Sequence, residues 1–447
     1  METERATDRG LAPQGPHDLA RRLGLVGATA IVVGNVVGSG IFVAPGQVAV
    51  ALQSPSRVLL AWVLGGLLAL TGALSLAELA AAYPHSGGPY VYLRRAFGPR
   101  LAFVFGWAEL WVVKPTGAAG IAFILAEYAA QFVPALPPRA MAIAALLLVY
   151  GLNYWSLPAS SRAQLALAVG KCAGLALLAG LALARLRAGH EPAAPAAPAG
   201  WAAAWGAALV PILWTYDGWS DVAYVAGEVR DPARRMPQSL ILGTLLVTGL
   251  YLLVNAAVLV GLEAREMAAD PAVLSRLALR LGGESGRRAV TALILISTFG
   301  SLLAGAITTP RIFFAMARDG LFIRRVGEVH PRFGTPSGAI LLICAVACLF
   351  VLTNTFRQII TYFVFVMWAF YALTGLALFR LRALEPRTPR PYRVPWYPIG
   401  PALFVAASIG MLASVVLESR RESLVGLALV ATGWPAYAVW RRVQRRG

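Results

Sequence analysis

Lys171, Asp217 and Ser39 are the residues from which chemistry can start, because each stands where its neighbours argue against it. Lys171 lies among Ala, Leu and Gly, and Lys114 is the only other lysine in the chain. Asp217 interrupts an apolar run from Gly206 to Val229, within Tyr216-Asp217-Gly218-Trp219. Ser39 sits between two glycines in Gly34-Asn35-Val36-Val37-Gly38-Ser39-Gly40, inside an apolar run from Leu25 to Val50. A fixed ammonium, a carboxylate and exposed backbone N–H groups can hold a charged molecule. Each also has a plainer reading: a lysine snorkelling to an interface, an aspartate capping the helix that starts after it, a small residue where helices cross. Asn35 can bond a neighbouring helix or a ligand. Lys114 follows Glu109 by five residues, a poor spacing for a same-face pair on an α-helix, so an internal ion network stays an open reading.

These residues need apolar elements to position them. The chain is 58% hydrophobic and only 13% charged, with mean hydropathy +0.67, against roughly 25% charged residues in soluble domains. The runs are too long and continuous for barrel strands, so the expected fold is all-α and polytopic in a lipid bilayer. Twelve spans are expected, near 25–50, 57–82, 100–132, 138–157, 161–184, 204–229, 237–262, 288–317, 337–353, 357–380, 397–417 and 422–441. An ionised side chain at mid-bilayer costs at least about 2.5–3.5 kcal/mol, which makes Lys171 and Asp217 functional by default. Gly34, Gly38 and Gly40 each weaken a helix by roughly 1 kcal/mol relative to alanine. A backbone freed in this way is tolerated only against protein or a watery cavity. The first and sixth spans are thus both broken, at matching places in two halves. That is the sequence pointer to a binding site at the membrane midplane of a secondary transporter; a GxxxG packing face is the alternative for Gly34 and Gly38.

Net charge +18 invites a nucleic-acid reading, but the arginines are scattered between apolar spans instead of forming one basic domain. With the N-terminus inside, cytoplasmic segments hold about twice the arginines of the outer ones, as the positive-inside rule requires. The exception is the loop between spans 7 and 8, which is rich in both signs and is expected to form a solvated external cap. Cys172, Cys344 and Cys348 all fall in apolar runs, and His17, His85, His190 and His330 lie apart in connecting segments. No disulfide framework, metal site or cofactor is expected. Residues 1–20 lack an apolar core and read as a cytoplasmic tail. Tyr90, Tyr92 and Phe97 with Arg94 and Arg95 read as a short helix at the inner interface. Glu191 to Gly200 reads as a Pro/Ala-rich external linker. Arg311 and Glu78 are expected near the cytoplasmic face.

Several stretches then carry a resemblance. Gly38-Ser39-Gly40-Ile41-Phe42 and Ser86-Gly87-Gly88-Pro89-Tyr90-Val91-Tyr92 resemble signatures of the amino acid–polyamine–organocation (APC) superfamily. Tyr216-Asp217-Gly218-Trp219 with Glu228-Val229-Arg230-Asp231-Pro232, Ser297-Thr298-Phe299-Gly300-Ser301, Ala317-Arg318-Asp319-Gly320, and Arg390-Pro391-Tyr392-Arg393-Val394-Pro395 are similar to the L-type amino acid transporter (LAT) branch. Order and spacing make the set specific from about residue 24 to 400. The resemblance implies a LeuT-like five-plus-five inverted repeat, with spans 1–5 at 25–184, spans 6–10 at 204–380 and two peripheral helices at 397–441. Tails at 1–23 and 442–447 are expected in the cytoplasm. It implies alternating access, amino acid substrates and, for many members, obligate exchange. Animal members carry an external cysteine between spans 3 and 4 that bonds a partner glycoprotein; Gln131 to Arg139 has none, so no disulfide-linked heavy chain is expected. Short tails and Ala/Arg-rich composition fit a prokaryotic member.

An amino acid in a dry cavity needs both its charges met. The half-helix after Ser39 offers its carboxylate free N–H groups and a positive dipole end, with Gly38 and Gly40 letting the backbone approach. Carbonyls at Val36 and from Trp214 to Asp217 are expected to take the ammonium, with Tyr216 and Gly218 counted in the same substrate site, and the resemblance makes Trp214 an aromatic gate. It also puts Lys171, with Ser297 and Thr298, where sodium sits in sodium-coupled relatives, so that a fixed ammonium replaces the ion. Sodium independence follows. The rivals are proton-coupled symport through Lys171 and, from another class, an enzyme acting on lipid-linked substrates. The latter needs clustered acids or histidines near a bilayer face, and Glu109, Glu127, Asp217 and Asp221 form no such constellation. No catalytic residue is expected.

Overall fold

A computed structural model describes residues 19–185, 201–263, 266–267, 272–353, 356–418 and 420–444. The start of the expected N-terminal tail, the 191–200 linker and the last three residues of the C-terminal tail lie outside the described residues. The first broken span forms α1 (Leu25–Val36) and α2 (Gly40–Leu52), bent by 49°. Then come α3 (Pro55–Ala82), a short amphipathic α4 (Pro89–Phe97), α5 (Pro99–Ala129), α6 (Pro138–Trp155) and α7 (Leu157–Arg185). The second broken span is α8 (Trp201–Thr215), a turn at Tyr216 to Gly218, and a 3₁₀ helix over Trp219–Glu228. The rest is α9 (Pro232–Gly261), α10 (Val273–Thr308), α11 (Pro310–Arg318), α12 (Ser337–Thr353), α13 (Phe356–Leu384), α14 (Ile399–Glu418), α15 (Arg420–Ala431) and α16 (Gly433–Gln444).

Among the described residues seven helices are long and apolar enough to cross a membrane alone, and the α1–α2 pair adds an eighth. The exterior is apolar: Leu67, Leu147, Leu148, Leu177, Leu245 and Leu246 all face outward. The interior, by contrast, buries Glu78, Glu109, Lys171, Glu228 and Arg311. That inversion of the soluble pattern is what a lipid solvent selects. The expected external cap between spans 7 and 8 is in part the first turns of α10, which bends at Gly282 and Gly283.

Arg311 corrects an expectation. It does not face the cytoplasm but is fully buried, with its Nε 2.8 Å and Nη2 3.2 Å from the two oxygens of Glu228. A buried guanidinium needs such a bidentate partner to offset its lost hydration. The contact pins α11 to the end of the 3₁₀ helix.

The two broken spans lie side by side. Helix α1 packs on α7, α9, α10 and the 3₁₀ helix, and α2 packs on α8. At one end the chain before α1 is stitched to the chain after the 3₁₀ helix: Leu23 N donates to Glu228 O at 2.9 Å and Arg230 N to Leu23 O at 2.8 Å. The same end gathers ion pairs between α3, α4, the α11 terminus, α13 and the segment that follows it. Glu78 meets Arg382 at 2.6 Å and Arg390 at 3.3 Å, Arg94 meets Asp319 at 3.1 Å, and Arg95 meets Glu385 at 3.5 Å.

Candidate functional site

The break in α1 frees carbonyls, and the structure shows what takes them. Gly38 N turns to Val36 O at 2.8 Å instead of continuing the helical ladder. That leaves the last carbonyls of α1 at the negative end of its dipole. Lys171 reaches in from α7 and donates to Gly34 O at 2.8 Å, Val37 O at 2.5 Å and Ser301 Oγ at 3.3 Å. Ser301 donates to Gly34 O at 2.9 Å and Val37 O at 3.1 Å, and Ser297 to Val37 O at 3.1 Å and Gly38 O at 3.2 Å. Lys171 is fully buried, so it does not snorkel. Thr298 does not join this cluster: its hydroxyl donates to Ile294 O at 2.8 Å within its own helix. The helical period accounts for this. Positions 297 and 301 share a face, whereas 298 is turned about 100° away. That spacing was available in the sequence and points to Ser301.

The second break approaches the first closely. Gly218 has φ +104°, and a Cβ there would meet the Asn35 backbone at 3.0 Å. A Cβ on Gly40 would meet Thr215 Oγ1 at 2.8 Å and the Trp214 ring at 3.1 Å. Glycine is needed at both for the two spans to cross at this distance. Tyr251 of α9 ties the breaks together, its hydroxyl 2.9 Å from Val36 O and 3.1 Å from Thr215 O.

Between the breaks and α5 lies a cavity of about 170 Å³. Of the residues expected to bind, Val36, Gly38, Ser39, Gly40, Trp214, Asp217 and Gly218 line it. Tyr216 does not. Its ring packs with Trp62 and Tyr251, and its hydroxyl donates to Trp62 O at 3.2 Å on the α3 side. Asp217 Oδ1 lies 2.5 Å from the Tyr371 hydroxyl of α13. Asn35 lines the cavity, while its amide donates to Ile31 O at 3.2 Å. The Val36 carbonyl, expected to take an ammonium, already accepts from Tyr251 and Gly38.

Lys114 has an unforeseen partner. Its ammonium lies 2.8 and 2.9 Å from the two oxygens of Asp221, in the cavity wall. Pro115 lacks an amide for the helical ladder, and α5 answers with a π turn at Glu109–Val113, in which Lys114 N bonds Glu109 O. A π turn closes i→i+5 bonds, so the five-residue spacing that is poor on an α-helix puts Glu109 and Lys114 on one side here. Both line a second, smaller chamber. Among the described residues no cluster of His, Cys, Asp and Glu is arranged to hold a metal.

Paired broken spans in an apolar helical bundle, with an internal cavity between them and a buried ammonium behind it, mark a polytopic membrane protein. Residues 23–429 match the family model described as amino acid permease, and the chain belongs to that family. It is 30% identical over 445 residues to the b(0,+)-type amino acid transporter 1 of Homo sapiens, covering 97% of this chain and 91% of that one. It is 30% identical over 432 residues to the serine/threonine exchanger SteT of Bacillus subtilis (strain 168), covering 94% and 97%. To the large neutral amino acids transporter small subunit 2 of Mus musculus it is 31% identical over 440 residues, covering 94% and 81%.

Proposed function

We propose that the protein is a sodium-independent amino acid exchanger of the cell membrane, working by alternating access with both termini in the cytoplasm. The observation that carries this reading is Lys171. Its ammonium occupies the carbonyl end of α1 with three hydrogen bonds, where a sodium-coupled protein needs the ion. The substrate carboxylate docks at the N-terminus of α2, on Ser39 and Gly40, whose first amides have no helical acceptor. The ammonium goes to Asp217 and the carbonyls from Trp214 onward, and the Trp214 ring closes over it. The names of the relatives, an exchanger and two amino acid transporters, support the same substrate class.

Twelve spans in a five-plus-five repeat are the architecture we propose. Two features support it: α3 packs on α9 and α2 on α8, which pairs spans 2 with 7 and 1 with 6. One relative is named a small subunit; with no cysteine between α5 and α6, this chain works without a disulfide-linked partner. The test is uptake of labelled amino acids into proteoliposomes in sodium-free buffer at equal pH, with and without amino acids inside. Uptake only into preloaded vesicles is expected. Uptake into empty vesicles driven by an imposed pH gradient establishes symport instead, and no uptake by folded protein removes the transport reading.

A further inference from the structure

Behind the substrate cavity, on the far side of the Lys114–Asp221 pair, is a chamber of about 30 Å³. It is large enough for one or two water-sized groups and too small for an amino acid. Glu109, Lys114, Asp217, Ser220, Asp221, Tyr224 and Tyr371 face it. The titratable groups come from every element packed there: Glu109 and Lys114 from α5, Asp217 from the turn after α8, Asp221 and Tyr224 from the 3₁₀ helix, and Tyr371 from α13. Three carboxyls thus share one ammonium. Lys114 is committed to both oxygens of Asp221. Asp217 is bonded by Tyr371 and, on the reading above, meets the substrate ammonium. Glu109 is left over: it is 4% exposed, and its Oε2 has no hydrogen-bond partner. A bare carboxylate cannot be held in such a place without a compensating positive charge.

We infer that the chamber is a proton site, with the proton carried on Glu109 while Lys114 pairs with Asp221. The two conditions depend on each other. When the Glu109 O–H bond breaks and the proton passes to solvent in the substrate cavity, the new carboxylate competes with Asp221 for Lys114, its neighbour across the π turn. The Lys114–Asp221 wall between α5 and the 3₁₀ helix is then loosened, and the cavity loses the shape that holds substrate. Glu109 touches no substrate in this scheme; it is a positioning residue whose protonation keeps the wall closed.

The inference rests on the exchange reading for its transport readout, so a second readout is independent of transport. Exchange is measured in vesicles of equal internal and external pH, from about pH 5 to about pH 9, where ordinary carboxyls are ionised almost throughout. The expected result is a wild-type rate that falls several-fold toward the alkaline end, and an acid-to-alkaline ratio near one for Glu109→Gln, which cannot ionise. Glu109→Asp is expected to keep a dependence. Infrared difference spectra of the purified protein in lipid, acid minus alkaline, should show a protonated-carboxyl band that Glu109→Gln removes. Identical pH profiles for wild type and Glu109→Gln, or an infrared band unchanged by the substitution, overturn the inference. So does a Glu109-dependent response to replacing choline by sodium or potassium at fixed pH, which assigns the chamber to an alkali cation. If no exchange occurs at any pH, the exchange reading fails, and the infrared comparison still decides the proton site.

Discussion

At the scale of single residues, Lys171 closes the open carbonyl end of a broken helix with positive charge, and we propose that it stands there in place of a coupling ion. Each hydrogen bond from a charged donor is worth about 1.5–3 kcal/mol. Replacing Lys171 with Met, of similar length but without charge, is expected to lower exchange per folded molecule by about ten- to a hundredfold. Undiminished exchange removes Lys171 from the mechanism. Ser301 and Thr298 make a sharper pair, because both carry hydroxyls, lie close in sequence and face different ways. Ser301→Ala takes a donor from Gly34 and Val37 and should reduce exchange. Thr298→Val removes an intrahelical bond and should leave exchange near wild type. Equal loss in both would mean that the hydroxyls matter only for folding.

At the scale of elements, two breaks and one π turn carry the site. Gly218 cannot take a side chain without meeting the Asn35 backbone, and its φ of +104° disfavours one as well. Gly218→Ala should therefore lower thermal stability in detergent by about 1–3 kcal/mol and slow exchange of every substrate alike. Loss confined to one class of side chain would place Gly218 in specificity instead. The π turn is tested through the pair it presents. Asp221→Ala leaves the mostly buried ammonium of Lys114 without its carboxylate, at a cost of up to about 3–5 kcal/mol. Adding Lys114→Met should restore much of that stability, since no charge is then left unpaired. A double variant no more stable than Asp221→Ala argues against a direct pair. Whether a proline such as Pro115 produces a kink or a π turn depends on what α5 packs against, and so the Lys114–Asp221 contact could not be read in advance.

For the whole molecule, the bundle has exchanged the usual roles of surface and core. Leucines face outward, and buried ion pairs tie α3 to α13 and α11 to the 3₁₀ helix. With Lys171 built in, exchange should proceed equally well when sodium is replaced by choline. A requirement for sodium would show that the carbonyl end of α1 opens during the cycle and takes an ion.

The amino-acid sequence by itself determined that this is a helical membrane protein with two broken spans, because hydropathy, glycine and charge act through local energies that any fold must respect. It also singled out Ser39, Gly40, Asp217 and Lys171, since a polar group in an apolar run is costly wherever that run ends up. Only the tertiary structure decided partners. Ser301 rather than Thr298 meets the α1 carbonyls, Tyr216 turns toward α3, Asp217 is bonded by Tyr371 and Arg311 is buried on Glu228. These outcomes depend on how helices distant in sequence are rotated and how closely they approach, and rotation is set by packing across the bundle, which no local run of residues encodes.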